Sequence, residues 1–193
     1  MISSNPIFNV LFWIAYVIAL IIGIEIFAYI WHRYGAHADY IPGIHDTHHI
    51  HHIIGHNDEL KHLLSDHEAD EDFIWILLMM TLFEVIIGIG VIVGIIPSVL
   101  AVLTIIVCLA VFWWNWWIHK AYHQKDHWLN SYEWFILERE RHYIHHDQPD
   151  KNYGIATHFT DRFLNTWIDP INPTDMMDDI IMFNKDLDSS PTQ

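Results

Sequence analysis

The hydrophobic positions of this chain lie in three long runs, and the polar positions between them are dense in histidine. Residues 7–31 form a run of 25 in which Glu25 is the only charge. Residues 73–96 form a second run with Glu84 alone in its middle, and residues 99–118 form a third. About 20 apolar residues cross a bilayer as a helix, so each run is long enough, the first with some tilt. Only Pro97 and Ser98 separate the second run from the third, which predicts a transmembrane hairpin. Trp113, Trp114, Trp116 and Trp117 mark where its second arm meets the membrane interface, because indole favours that boundary. Gly88, Gly90 and Gly94 would permit close helix contact there.

Three spans with a tight hairpin put residues 32–72 and 119–193 on one side of the membrane. All nine Lys and Arg (Arg33, Lys61, Lys120, Lys125, Arg139, Arg141, Lys151, Arg162, Lys185) lie in those two segments, so that side is cytosolic by the positive-inside rule. The expected fold is therefore all-α and integral to the membrane, with about three transmembrane helices and a cytosolic helical cap. Residues 1–168 form one membrane domain, and 169–193 an acidic, poorly ordered tail. A secretory signal is not expected at the N-terminus, since no basic segment precedes the first run and its apolar core is too long.

Composition narrows the function. The chain is 52% hydrophobic with ten Trp and a mean hydropathy of +0.19, high for a soluble domain. A net charge of -15 argues against a nucleic-acid partner, which calls for a basic footprint. Cys108 is the single cysteine and sits in an apolar run, so it reads as a small buried hydrophobe and no disulfide framework exists.

Of the 17 histidines, ten lie in residues 32–67 and six in residues 119–146. His32 and His37 open the first cluster. Pro42 and Gly43 then break any continuous helix, and His45, His48, His49, His51 and His52 follow on a separate element. In the second cluster His119, His123 and His127 are spaced by four, which places them on one stripe if the third helix continues that far. A further helix starting near Asn130 and Ser131 carries His142, His145 and His146. Neutral imidazoles held at fixed angles ligate iron, zinc, copper and nickel, so the two clusters point to a polynuclear metal site. Glu25, about two turns before His32, is either a helix-packing carboxylate or the orienting partner of a ligating histidine. Glu84, a charge near mid-bilayer, needs a partner. His56, His62, His67 and His158 read as solvent-facing or outer groups, and the acidic tract 66–72 as a solvated face. Asp46, Asp126 and Asp161 are candidates to orient imidazole N–H groups.

With HxxxxH, HxxHH, HxxxH and HxxHH in order around a membrane hairpin, residues 25–167 resemble the fatty acid hydroxylase and sterol desaturase superfamily. His32 and His37 match the first box. The second fits in two registers, His45, His48, His49 or His48, His51, His52; the third is His119 and His123, or His123 and His127. His142, His145 and His146 match the fourth. Asn152-Tyr153-Gly154 and Asp161-Arg162-Phe163-Leu164-Asn165-Thr166-Trp167 look like the segment after the last box, with Asn165 where glycine is usual. The resemblance implies two iron ions held by about ten of these histidines, with zinc as a possible substitute in purified protein. It also implies O2 as co-substrate, a membrane lipid as substrate and a separate electron donor of cytochrome b5 or ferredoxin type. The histidine face would be cytosolic, on the endoplasmic reticulum in a eukaryote. Soluble di-iron proteins instead use Glu-x-x-His motifs, and here only Glu59 and His62 have that spacing. The electron donor must be a separate protein, because the chain has no Gly-x-Gly-x-x-Gly fingerprint and no iron–sulfur cysteine set.

Three functions fit these residues: hydroxylation of a lipid alkyl chain, desaturation on the same scaffold, and non-enzymatic metal binding or transport. The third predicts ionisable residues along several spans, whereas these spans carry only Glu25 and Glu84.

Overall fold

The structure, a computed structural model, describes residues 5–40, 42–56, 66–124 and 126–170. His62, the Glu59–His62 pair and the tail beyond residue 170 lie outside the described residues, as do the side chains of His56, His67 and the acidic tract. Among the described residues every regular element is helical: α1 Pro6–Trp31, α2 Pro42–His56, α3 Asp66–Ile92, α4 Ser98–Tyr122, α5 Glu133–Asp147 and α6 Phe159–Leu164.

Helix α1 starts where Asn5 caps it, its side chain accepting from the amides of Ile7 at 2.9 Å and Phe8 at 3.4 Å, with Pro6 in the first turn. Apart from Tyr29 it buries none of its residues, and Ile7, Leu11, Ile14 and Ile18 stay exposed. Apolar nearly all round, it is long and apolar enough to cross a membrane. Among the described residues two helices are long and apolar enough to span: α1 with its extension to Ala36, and α4. Helix α3 supplies a shorter apolar stretch, Met80–Ile92.

The second apolar run leaves the helix earlier than expected. Gly94 has φ 76°, the left-handed conformation that ends helices, and α3 stops at Ile92. Gly94 thus acts as a terminator, while a Cβ on Gly90 would come within 2.6 Å of Ile96, which folds back over it.

Polar side chains fasten α1 to α4. Tyr16 and Thr104 hydroxyls are 2.7 Å apart, and Asn115 Nδ2 donates to Glu25 Oε1 at 3.1 Å. The other Glu25 oxygen accepts from the Thr157 hydroxyl at 2.9 Å. Glu25 is therefore the packing carboxylate of the two alternatives, tying both helices to the segment after the last histidine box. Ile118, Ala121, Tyr122, Leu129 and Phe135 form the apolar core where α4 meets α5, beneath the histidines.

Candidate metal centre

Three helices and one irregular turn supply the histidines. After Trp31 the chain continues as a π-helical turn, His32–Ala36, closed by a bond from the His37 amide to the His32 carbonyl at 3.2 Å. A five-residue spacing would set the two rings about 140° apart on a regular α-helix, but the wider turn brings them to one side, 5.1 Å apart between centroids. Gly35 makes room for this turn, since a Cβ there would come within 2.8 Å of the Trp31 indole.

The two HxxHH motifs divide their histidines in the same way. On α2, His48 and His52 turn to one group while His51 turns to the other; on α5, His142 and His146 share a group and His145 crosses over. Residues four apart lie on one stripe of a helix and the residue at i+3 lies to its other side, so each motif serves two neighbouring centres. The result is two groups of five: His32, His37, His48, His52, His145 and His51, His119, His123, His142, His146. Within each group one nitrogen per ring lies within 4.8 Å of all the others.

The hydrogen bonds of the first group test whether a metal fits. His32 Nδ1 and His145 Nδ1 sit 2.6 Å from the carbonyls of Tyr153 and Lys151. A carbonyl only accepts, so both Nδ1 atoms carry the proton and both Nε2 atoms present lone pairs. Yet those two Nε2 atoms are 3.1 Å apart, and His48 Nε2 is 3.0 Å from His32 and 3.1 Å from His37 and His52. The His32 and His145 lone pairs, facing each other with no proton between them, repel, and a cation between them removes the repulsion. In the second group His142 Nε2 likewise lies 2.9 Å from His123 Nε2 and 3.0 Å from His146 Nε2, while the Nδ1 atoms of His142 and His146 are buried with no hydrogen-bond partner among the described residues, so no carbonyl fixes their tautomers. His51 Nε2 is buried there with no hydrogen-bond partner among the described residues, and a metal would satisfy it as a ligand. Imidazole nitrogens clustered in this way suit first-row transition metals such as iron, zinc, copper and nickel.

Electrostatics keep these rings neutral. Burial first, and neighbouring imidazoles second, push His37 down to about 2 and His52, through burial and His32, down to about 3. The same causes, burial foremost, hold His48, His51, His142, His145 and His146 well below the ordinary histidine value.

The carbonyls that orient His32 and His145 belong to a strap, residues 151–154, which is itself clamped. Asn152 is fully buried at φ 48°, donating to the Arg141 and Ile168 carbonyls at 3.2 and 2.9 Å and accepting from the Ile168 amide at 2.9 Å. Asp161, also fully buried, accepts from the amides of Tyr153 and Gly154, both at 2.8 Å, and from the Thr166 hydroxyl at 2.7 Å. Its Oδ2 lies 3.3 Å from His158 Nδ1, and His158 Nε2 lies 3.2 Å from Glu138 Oε2. Burial alone would lower the His158 value, but the two carboxylates outweigh it and raise it; burial likewise opposes the hydrogen bonds that lower Asp161. Gly154 must be glycine, because a Cβ would collide with the Thr157 carbonyl at 2.1 Å. Asp161 thus acts one step beyond the role considered for it, holding the backbone that holds His32.

The structure brings ten of the thirteen candidate histidines together and sets three outside. His45 and His49 stack on each other at 5.8 Å on the outer side of α2. His127 cannot share a stripe with His119 and His123 because α4 ends at Tyr122; it packs against Trp117 and Phe135 and accepts from the Leu129 amide at 3.3 Å. Asp46 lies 3.6 Å from His45, and Asp126 is exposed. Helix α5 begins at Glu133, slightly later than its Asn-Ser signal, because Ser131 closes a short 3-10 turn onto the Trp128 carbonyl at 2.8 Å. His158, read in the sequence as a solvent-facing or outer group, is the latter, buried between Asp161 and Glu138, whereas Glu138 is not among the sequence candidates; the His158–Asp161 spacing of one helical turn is the signal for that pair.

Neither a curated protein nor a solved structure matches the chain. A family model described as fatty acid hydroxylase matches residues 17–166, a span that holds both histidine groups, the strap and Asp161. With that match over most of its length and its histidines gathered as described, the chain belongs to the fatty acid hydroxylase family.

Proposed function

We propose that this protein is a membrane oxygenase that hydroxylates a lipid alkyl chain at a centre of two iron ions. The observation that carries the reading is the pair of His32 and His145 lone pairs, locked inward by their Nδ1 donors and facing each other at 3.1 Å. His32, His37, His48, His52 and His145 would hold one metal, and His51, His119, His123, His142 and His146 the other. Iron held there supplies O2-dependent removal of hydrogen from an unactivated C–H bond, with electrons from a separate donor protein. The protein's part is to present neutral, pre-aimed nitrogens and to keep the centre against spanning helices where an alkyl chain can reach it. Helices α1, α3 and α4 form the three spans in this reading, and the histidine cap faces the cytosol with the Lys and Arg residues.

The test is expression with iron in a host that lacks the product, followed by lipid analysis under 18O2. The reading predicts a hydroxylated lipid carrying 18O in wild-type cells and none with His145→Ala. An unlabelled alkene product would move the assignment to a desaturase, and histidine-dependent metal flux without any lipid product would move it to a transporter.

A further inference from the structure

The fan of histidines on α2 extends beyond the two groups. At about 100° per residue, its rings follow one another around the helix in the order His51, His48, His52, His45, His49. The first belongs to the second group and the next two to the first group. The last pair stands directly beside them and belongs to neither. His45 and His49 are one turn apart, nearly parallel at 12°, with His45 half-buried and His49 exposed.

A cavity of about 360 Å³ joins this pair to the first group. Its lining includes the exposed His49 and Asp147, the half-buried His45 and His37, and the buried His48 and His52. The exposure of His49 and Asp147 against the burial of His48 and His52 gives the cavity a direction, from solvent inward to the nitrogens of the first group.

We propose that His45 and His49 form a loading site, which takes a divalent first-row transition cation from solution and passes it to the first histidine group. The proposal rests on the metal-centre reading above. Two imidazoles at i and i+4 on a helix can share one cation, as in zinc sites built on that spacing. With only two protein ligands and water in the other positions, such a site holds its ion weakly and releases it. Asp46, 3.6 Å from His45 Nδ1, favours the ring orientation that leaves Nε2 for the metal. A cation held there is within one helical turn of His48 and His52, at an effective concentration on the order of millimolar. The protein's net charge of -15 favours its arrival. Transfer exchanges ligands only, and the cation keeps its charge.

The experiment follows uptake of Co2+ alone by metal-free, full-length protein in detergent, using its d–d absorption in a stopped-flow instrument. Wild-type protein is expected to fill both groups, to two tightly held ions per chain. His45→Ala/His49→Ala is expected to reach the same final content while filling the first group about tenfold more slowly at limiting Co2+. Saturating Co2+ should remove that difference, as it would not for a misfolded variant. His49→Asp, which keeps a ligating oxygen, should recover part of the rate, and His127→Ala, off the cavity, should load like wild type. Equal rates for the double variant and wild type would overturn the proposal. So would a final content of one ion in the double variant, which would make the pair permanent ligands. A wild-type protein with no tightly held Co2+ would instead overturn the metal-centre reading, and the loading site with it.

Discussion

Acid should open the metal-free protein abruptly, and the size of the effect follows from the number of buried rings. Seven group histidines outside the spanning helices, His37, His48, His51, His52, His142, His145 and His146, have folded values held far below the ordinary 6.5. For a base whose folded value is depressed, the unfolded state binds the proton more readily. Stability is therefore full above 6.5 and falls as the pH drops below it, towards folded values of about 3 for His52 and about 2 for His37. At pH 6 each such ring favours the opened cap by roughly 0.8 kcal/mol, a figure set by the unfolded value alone, and seven together by roughly 6 kcal/mol. That is comparable to the whole stability of a small domain, about 5 to 15 kcal/mol. Metal-free protein in detergent should thus lose its cap in a steep transition between about pH 6.5 and pH 5. Bound metal should shift the transition to lower pH, since protons must then displace it. Tryptophan fluorescence and hydrogen exchange across His142–His146 would follow the opening. A metal-free protein unchanged in both from about pH 7.5 to pH 5 would refute the claim that these rings are buried and neutral.

Two further substitutions probe the strap behind the rings. Asp161→Asn replaces one acceptor by a donor opposite the Tyr153 or Gly154 amide. It should cost about 2 to 4 kcal/mol in denaturant unfolding, and should lower metal affinity at the first group about tenfold or more while sparing the second. Asn165, at φ 59° and ψ 32°, ends α6 in the left-handed conformation; Asn165→Gly should change the melting temperature little, whereas Asn165→Ala should cost about 1 kcal/mol.

The parts legible in the sequence are those governed by length and by spacing along one helix. A 25-residue apolar run at residues 7–31 corresponds to α1 at Pro6–Trp31, and the run at 99–118 corresponds to α4 at Ser98–Tyr122. Asn165 in place of the family's glycine keeps the turn, because asparagine tolerates positive φ. The choice between two second-box registers was not legible, since it depends on how α2 packs on α5 and on the π-turn that swings His37 back beside His32. His127 drops out for a similar reason: only the end of α4 at Tyr122, set by the core of Leu129 and Phe135, takes it off the stripe. The strap was hidden more deeply, because the groups that orient His32 and His145 are backbone carbonyls, which no residue type announces.

The central claim is that ten histidines form two metal sites, and metal content per chain measures it most directly. Protein expressed with iron supplied and zinc limited, then purified in detergent, should carry two irons per chain, one for each group. His145→Ala should lower that content, and His127→Ala should leave it unchanged. One metal or none in the wild-type protein, or two retained in His145→Ala, would contradict the account.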